Sequence, residues 1–124
     1  MAYIITLPTF EDNRGTLSVC QNLLPFVIKR FYFIYDVSQC RGGHRHKVSI
    51  QALVCLGGSC DIYINNGTSE QTIKLYHPSQ CLIIDPKDWH TMNNFSDNAT
   101  LLVMSSTEYD RDDYIDNPYT EPMP

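Results

Sequence analysis

The stretch "RGGHRHKVSIQ" (Arg41 to Gln51) carries two histidines one residue apart. Alternate side chains of an extended chain share a face, so His44 and His46 point one way while Arg45 and Lys47 point the other. Such a pair has three uses: to hold a metal, to carry a proton, or merely to sit on a strand. Neutral imidazole, with an unperturbed pKa of about 6.5, gives and takes protons near neutrality. Alternate strand positions lie roughly 6–7 Å apart at Cα, a separation suited to adjacent carbons of one substrate. Gln51 has the opposite parity to both histidines. It reaches the same cavity only if a bulge or a bend intervenes between 46 and 51.

The elements that must hold these residues read as short strands separated by turns. "AYIITL" is a first strand ended by Pro8, and "EDNRGTLSV" is a turn running into a second. "FVIKRFYFIYDV" is the longest, rich in β-branched and aromatic residues. "HKVSIQALVCL", "SCDIYI", "TIKLYH", "QCLIIDP", "WHTMNNF" and "ATLLVMSS" bring the total to about nine, with Asn65-Asn66-Gly67 as a hairpin turn. No helical period is sustained, although "EYDRDDYI" allows one turn. This pattern predicts an all-β fold, a small antiparallel β-barrel or double-stranded jelly roll. A length of 124 residues predicts a single domain over 1–124, with 116–124 an extended tail rich in proline.

Composition narrows the function. A formal net charge of −5 argues against a nucleic-acid or membrane-surface binder, though not against an anionic small substrate in a local pocket. No window is apolar enough for a membrane span and no signal peptide is read in "MAYIITLPTF". Five cysteines without a C-x-x-C pair read as reduced thiols of a cytoplasmic protein.

Gly43, His44-Arg45-His46, Gln51 and Gly57, followed by His90 and Asn94, resemble the two motifs of the cupin superfamily. A closer resemblance covers about residues 10–116. The segments "DNRGTL", "PFVIKRFYFIYDV", "RGGHRHK", "QALVCLGGSC", "WHTMNNFS" and "EYDRDDYI" are similar, in that order, to the dTDP-4-keto-6-deoxyglucose 3,4-ketoisomerases, small cupin enzymes of deoxysugar biosynthesis. The resemblance implies a homodimer without a cofactor or resident metal. It also implies a dTDP-linked 4-keto-6-deoxy sugar as substrate, and His44 and His46 as the catalytic pair that moves the ketone from C4 to C3. An R-G-x-H context in related epimerases makes His44 the expected C3 base and His46 the relay or the partner of the enediol oxygens. Products of such enzymes feed lipopolysaccharide or other surface polysaccharides.

A diphosphate calls for guanidinium forks, which makes Arg14, Arg30 and Arg41 candidates for substrate binding, with Lys47 as a weaker one. Arg30, Tyr32 and Ile34 share a strand face, and an arginine there needs water or a partner, so that face is the expected cavity wall. Tyr32 either bonds a sugar oxygen or is a core tyrosine with its hydroxyl satisfied. Trp89, the only tryptophan, either walls the pocket or packs in the core. Gln51 matches the metal-free members. The family pattern has an arginine after "DYI" where this chain has Asp116, a reversal of charge that bears on the C4 configuration of the product. Two other classes compete: a metal-dependent, dioxygenase-like cupin using His44, His46, Gln51 and His90, and a non-catalytic cupin that binds sugar nucleotides.

Overall fold

Apolar alternation builds the central strands of this computed structural model, which describes residues 2–119. In β7 (Cys60–Asn65), Cys60, Ile62 and Ile64 are buried while the residues between them are only partly so. β6 (Gln51–Gly57) is buried continuously from Gln51 to Cys55, as expected of a strand covered on both faces.

Two five-stranded antiparallel sheets result. The first runs β1 (Tyr3–Thr6), β9 (Gln80–Ile84), β6, β11 (Thr100–Ser105), β4 (Arg30–Ile34). The second runs β12 (Tyr114–Ile115), β5 (Arg41–His46), β10 (Trp89–Asn93), β7, β8 (Glu70–Leu75). Leu53, Leu82, Leu101 and Val103 from the first sheet pack with Ile62, Ile64, Leu75 and Met92 from the second, forming the main core between the sheets. Each such side chain contributes about 1.5–3 kcal/mol on burial. A second cluster on the other face of the first sheet joins Ala52, Val54, Ile83 and Met104 to Leu7, Leu24 and Phe26. The jelly roll is therefore realised, whereas a closed barrel is not: the two sheets remain separate.

Three differences from the expected strands matter. "EDNRGTLSV" belongs to a hairpin, β2 (Thr9–Asp12) and β3 (Gly15–Ser18), that joins neither large sheet. The long "FVIKRFYFIYDV" is strand only over Arg30–Ile34, because Phe26 before it turns over the outer cluster. "HKVSIQALVCL" is broken: β5 ends at His46, β6 begins at Gln51, and they lie in opposite sheets. The break is held by Asp113: its backbone carbonyl accepts the N–H of Lys47 at 2.8 Å, and its Oδ1 accepts the N–H groups of Lys47 (3.1 Å) and Val48 (2.8 Å), giving these donors partners where β5 ends. The single turn expected in "EYDRDDYI" is a 3-10 turn over Arg111–Asp113, capped by Asp110. Of the C-terminal tail, residues 120–124 lie outside the described residues. In the part before them, the Tyr119 hydroxyl donates to the carbonyl of Lys87 and the Arg45 guanidinium lies over the Tyr119 ring.

Candidate active site

The double glycine before the histidines has a structural use. Gly42 has φ +84°, and a Cβ there would stand 3.0 Å from the carbonyl oxygen of His90. Its absence lets β5 close on β10 across an irregularity in register at His90 and Thr91. His44 and His90 then become direct cross-strand partners. Three imidazoles meet: His44 lies 5.1 Å from both His46 and His90 between ring centroids. Tyr114 of β12 adds its ring 4.7 Å from both His44 and His46.

This cluster stands beside a cavity of about 410 Å³. Arg30, Tyr32, Arg41, His44, Tyr109 and Tyr114 are among its walls. His46 is not: it is only 2% exposed and sits beneath His44. The guanidinium of Arg30 lies 5.3 Å from the Tyr32 ring and 5.5 Å from that of Tyr109, while its buried Nε has no hydrogen-bond partner among the described residues. Gln51, freed from its expected parity by the break between β5 and β6, is fully buried near His46 and Tyr32, its amide likewise without an aligned partner.

Electrostatics keep the imidazoles neutral. Burial, followed by the neighbouring His46, pushes the pKa of His44 down to about 4. Burial pushes that of His90 down to about 3, and its Nδ1–H donates to the carbonyl of Asp88 at 3.0 Å. Burial also lowers the pKa of His46, although the pull of Asp113 opposes it. For Asp113, burial alone would raise the pKa. Hydrogen bonds from Ser49, the Val48 N–H and His46 outweigh it and hold the carboxyl at about 2. His46 and Asp113 are thus a neutral imidazole bonded to a carboxylate at neutral pH, with Nδ1 2.8 Å from Oδ2.

Other expected site residues lie elsewhere. Arg14 sits at the tip of the β2–β3 hairpin, exposed and paired with Asp12 at 2.6 Å, away from the histidines of its own chain. Lys47 does not enter the cavity. It lines a separate groove of about 590 Å³ with Thr107, Asp112 and Asp113, because the chain leaves β5 directly after His46. Trp89 is absent from both the cavity wall and the two core clusters. Its Nε1–H donates to the carbonyl of Asp116 and its ring meets that of Tyr63 edge-on. The carboxylate of Asp116 is taken up by Arg111 at 2.6 Å.

Sequence reasoning passed over Asp113, Tyr109 and Tyr114. All three lie in "EYDRDDYI", a segment recognised as similar to the ketoisomerases without any site role being read from its residues.

Among the described residues no three His, Cys, Asp or Glu side chains are arranged to hold an ion. The fourth group, Gln51, offers only a neutral amide, a poor ligand for a hard cation.

Comparison with known proteins places the chain in a family. The FdtA model, described as WxcM-like, C-terminal, matches residues 2–121. The chain belongs to this family. A TDP-4-oxo-6-deoxy-alpha-D-glucose-3,4-oxoisomerase of Aneurinibacillus thermoaerophilus is 39% identical to this FdtA-family chain over 116 residues, covering 90% of it and 84% of the relative. The crystal structure of the TDP-quinovose 3,4-ketoisomerase WlaRB of Campylobacter jejuni superposes with a TM-score of 0.89 at 42% identity, covering 94% and 92% of the two chains. The 3,4-ketoisomerase QdtA of Thermoanaerobacterium thermosaccharolyticum, solved as a histidine-to-asparagine mutant with TDP-4-keto-6-deoxyglucose, gives 0.91 at 37% identity, covering 94% and 87%. Among the described residues of the FdtA-family chain, no helix is long and apolar enough to cross a membrane.

Proposed function

We propose that this FdtA-family chain is a sugar-nucleotide 3,4-ketoisomerase that converts dTDP-4-keto-6-deoxyglucose into the 3-keto isomer. The observation that carries the reading is His44: a neutral imidazole at the wall of a cavity shared by two arginines, its Nε2 unpaired. Arg30 and Arg41 hold the diphosphate, and Tyr32 bonds a sugar oxygen. His44 removes the proton on C3, the C4 carbonyl oxygen gains a proton, and an enediol forms. A proton then returns to C4 while the C3 hydroxyl gives up its own, leaving the ketone at C3. Protons and electrons balance within the substrate, so no nicotinamide is consumed. His46, buried below His44, relays protons to it.

The working unit is a homodimer. An isolated two-stranded hairpin is marginal in water, yet β2–β3 carries Phe10 (64% exposed) directly opposite Leu17 (57% exposed), and none of the described residues covers them. β1 is also a sheet edge with Tyr3 and Ile4 exposed. The reaction runs in the cytoplasm, where its free thiols, Cys20, Cys40, Cys55, Cys60 and Cys81, stay reduced.

The deciding experiment incubates the chelator-treated protein with dTDP-4-keto-6-deoxyglucose and follows the product by NMR. A ketone moved to C3 supports the reading. Tight dTDP binding with no change at C3 or C4 would favour the non-catalytic binder, and activity only on metal addition would favour the metal-dependent cupin.

A further inference from the structure

Behind the buried histidine stands a carboxylate that the reaction as written does not use. Asp113 leaves the 3-10 turn just before β12, the two-residue strand that pairs Tyr114 with His46. Every acceptor position facing the protein is taken. Oδ1 accepts the N–H groups of Lys47 and Val48, and Oδ2 accepts the Ser49 hydroxyl at 2.5 Å and meets Nδ1 of His46 at 2.8 Å. The Ser49 hydroxyl has one proton, spent on Asp113, so the Thr107 hydroxyl beside it donates to Ser49 Oγ. A carboxylate so surrounded by donors is ionised and can only accept. The proton in the pair with His46 therefore sits on Nδ1. Nε2 is left as a bare lone pair, buried and without a hydrogen-bond partner among the described residues.

Around His46 stand Arg30 from β4, His44 from β5, His90 from β10, Tyr114 from β12 and the amide of Gln51. None of these carries a carboxylate. The neutral Gln51 side chain favours the positive imidazole only as a dipole, and Asp113 is the one opposite charge among the groups that act on His46.

We infer that Asp113 is the positioning residue of the site: it locks His46 in the Nδ1–H tautomer and stabilises the imidazolium formed when Nε2 takes up a proton. The inference rests on the ketoisomerase reading and names the part of the chain that makes His46 competent as a relay. It also gives the C-terminal segment a function, since the same short turn and strand deliver Asp113 to one side of His46 and Tyr114 to the other. Replacing Asp113 by asparagine would keep the shape but place an amide N–H against Nδ1, which reverses the tautomer and blocks Nε2 with a proton.

The test combines two variants with a spectroscopic readout on the unaltered protein. Nitrogen-15 NMR of histidine-labelled wild type should show neutral His46 protonated at Nδ1; protonation at Nε2 instead would overturn the inference whatever the variants do. Asp113→Asn should lower kcat by about 10²- to 10⁴-fold, the range of a lost general acid–base contribution. Its dTDP affinity should stay within about threefold, because Asp113 does not line the substrate cavity. Ser49→Ala removes one donor to Asp113 and leaves the His46 bond, so it should give a smaller loss and move the acidic limb of the kcat/KM profile to higher pH. A variant set with full kcat and an unmoved profile would sink the inference. Wild type inactive on the 4-keto sugar would instead sink the ketoisomerase reading on which it stands, so the two failures are distinguishable.

Discussion

His44 and His46 come from one strand with ring centroids 5.1 Å apart and planes at 85°, yet only His44 lines the cavity. The two imidazoles therefore make different predictions. In deuterated water, His44→Asn should abolish exchange of the sugar C3 proton and reduce kcat by about 10²- to 10⁴-fold. His46→Asn should retain slow C3 exchange while losing net isomerisation, because the base is present and its relay is not. Exchange that survives in His44→Asn would reject the assignment of the C3 base.

Arg30 and Arg41 line the cavity without a salt bridge to any acidic side chain among the described residues, as groups awaiting an anion would. A charge-assisted hydrogen bond is worth about 1.5–3 kcal/mol, so Arg30→Met should weaken dTDP binding by roughly 10- to 150-fold in calorimetry. The loss should appear in KM more than in kcat. A proportionate fall in kcat with unchanged affinity would move Arg30 from phosphate binding to the chemistry.

The all-β plan is legible in the sequence because β7 alternates and β6 is a continuous apolar run, patterns set by burial on one face or two. The histidine pair is legible because its spacing is local. Asp113 is not, since it meets His46 across 67 positions and no periodicity links them. Lys47, which strand parity already turns away from His44 and His46, stays out of the cavity because the chain leaves β5 after His46, where Asp113 takes its N–H. Trp89 shows the limit of composition, because a large aromatic can be held by a short tail segment as well as by a core or a ligand.

Gly42 offers a test of how the site is built. Its positive φ and the 3.0 Å approach of a would-be Cβ to the His90 carbonyl make Gly42→Ala both strained and obstructed. A loss of about 1–3 kcal/mol in stability is expected from the backbone conformation. Activity should fall further than stability explains, since the register of His44 against His90 depends on this approach. Unchanged urea midpoint and activity would show that β5 reaches its register by other means.

The uncovered hairpin predicts the oligomeric state. Sedimentation at micromolar concentration should give a dimer, and Phe10→Asp, which places a charge on the exposed β2–β3 face, should give a folded monomer. Wild type sedimenting as a monomer would leave Phe10 and Leu17 unexplained and remove the dimer from the proposal.

Acid sensitivity follows from the buried imidazoles. In the unfolded chain a histidine takes up a proton near pH 6.5, whereas folded His44 and His90 resist protonation down to about 4 and about 3. Between those limits the unfolded state binds more protons, so stability is full above about pH 6.5 and declines as pH falls below it. His90 alone should contribute a slope of about 1.4 kcal/mol per pH unit, with His44 adding less because solvent partly screens it. Asp113, held at about 2 against an ordinary 3.8, adds stability above pH 3.8 that is lost only in stronger acid, between those two values. Urea midpoints at pH 7.5, 6.5, 5.5 and 4.5 should therefore be level over the first interval and fall steadily over the last two. His90→Phe should flatten that fall. A midpoint that stays level from pH 6.5 to 4.5 in the unaltered protein would mean that the histidine cluster takes up protons as readily as free imidazole, and the neutral-base mechanism would go with it.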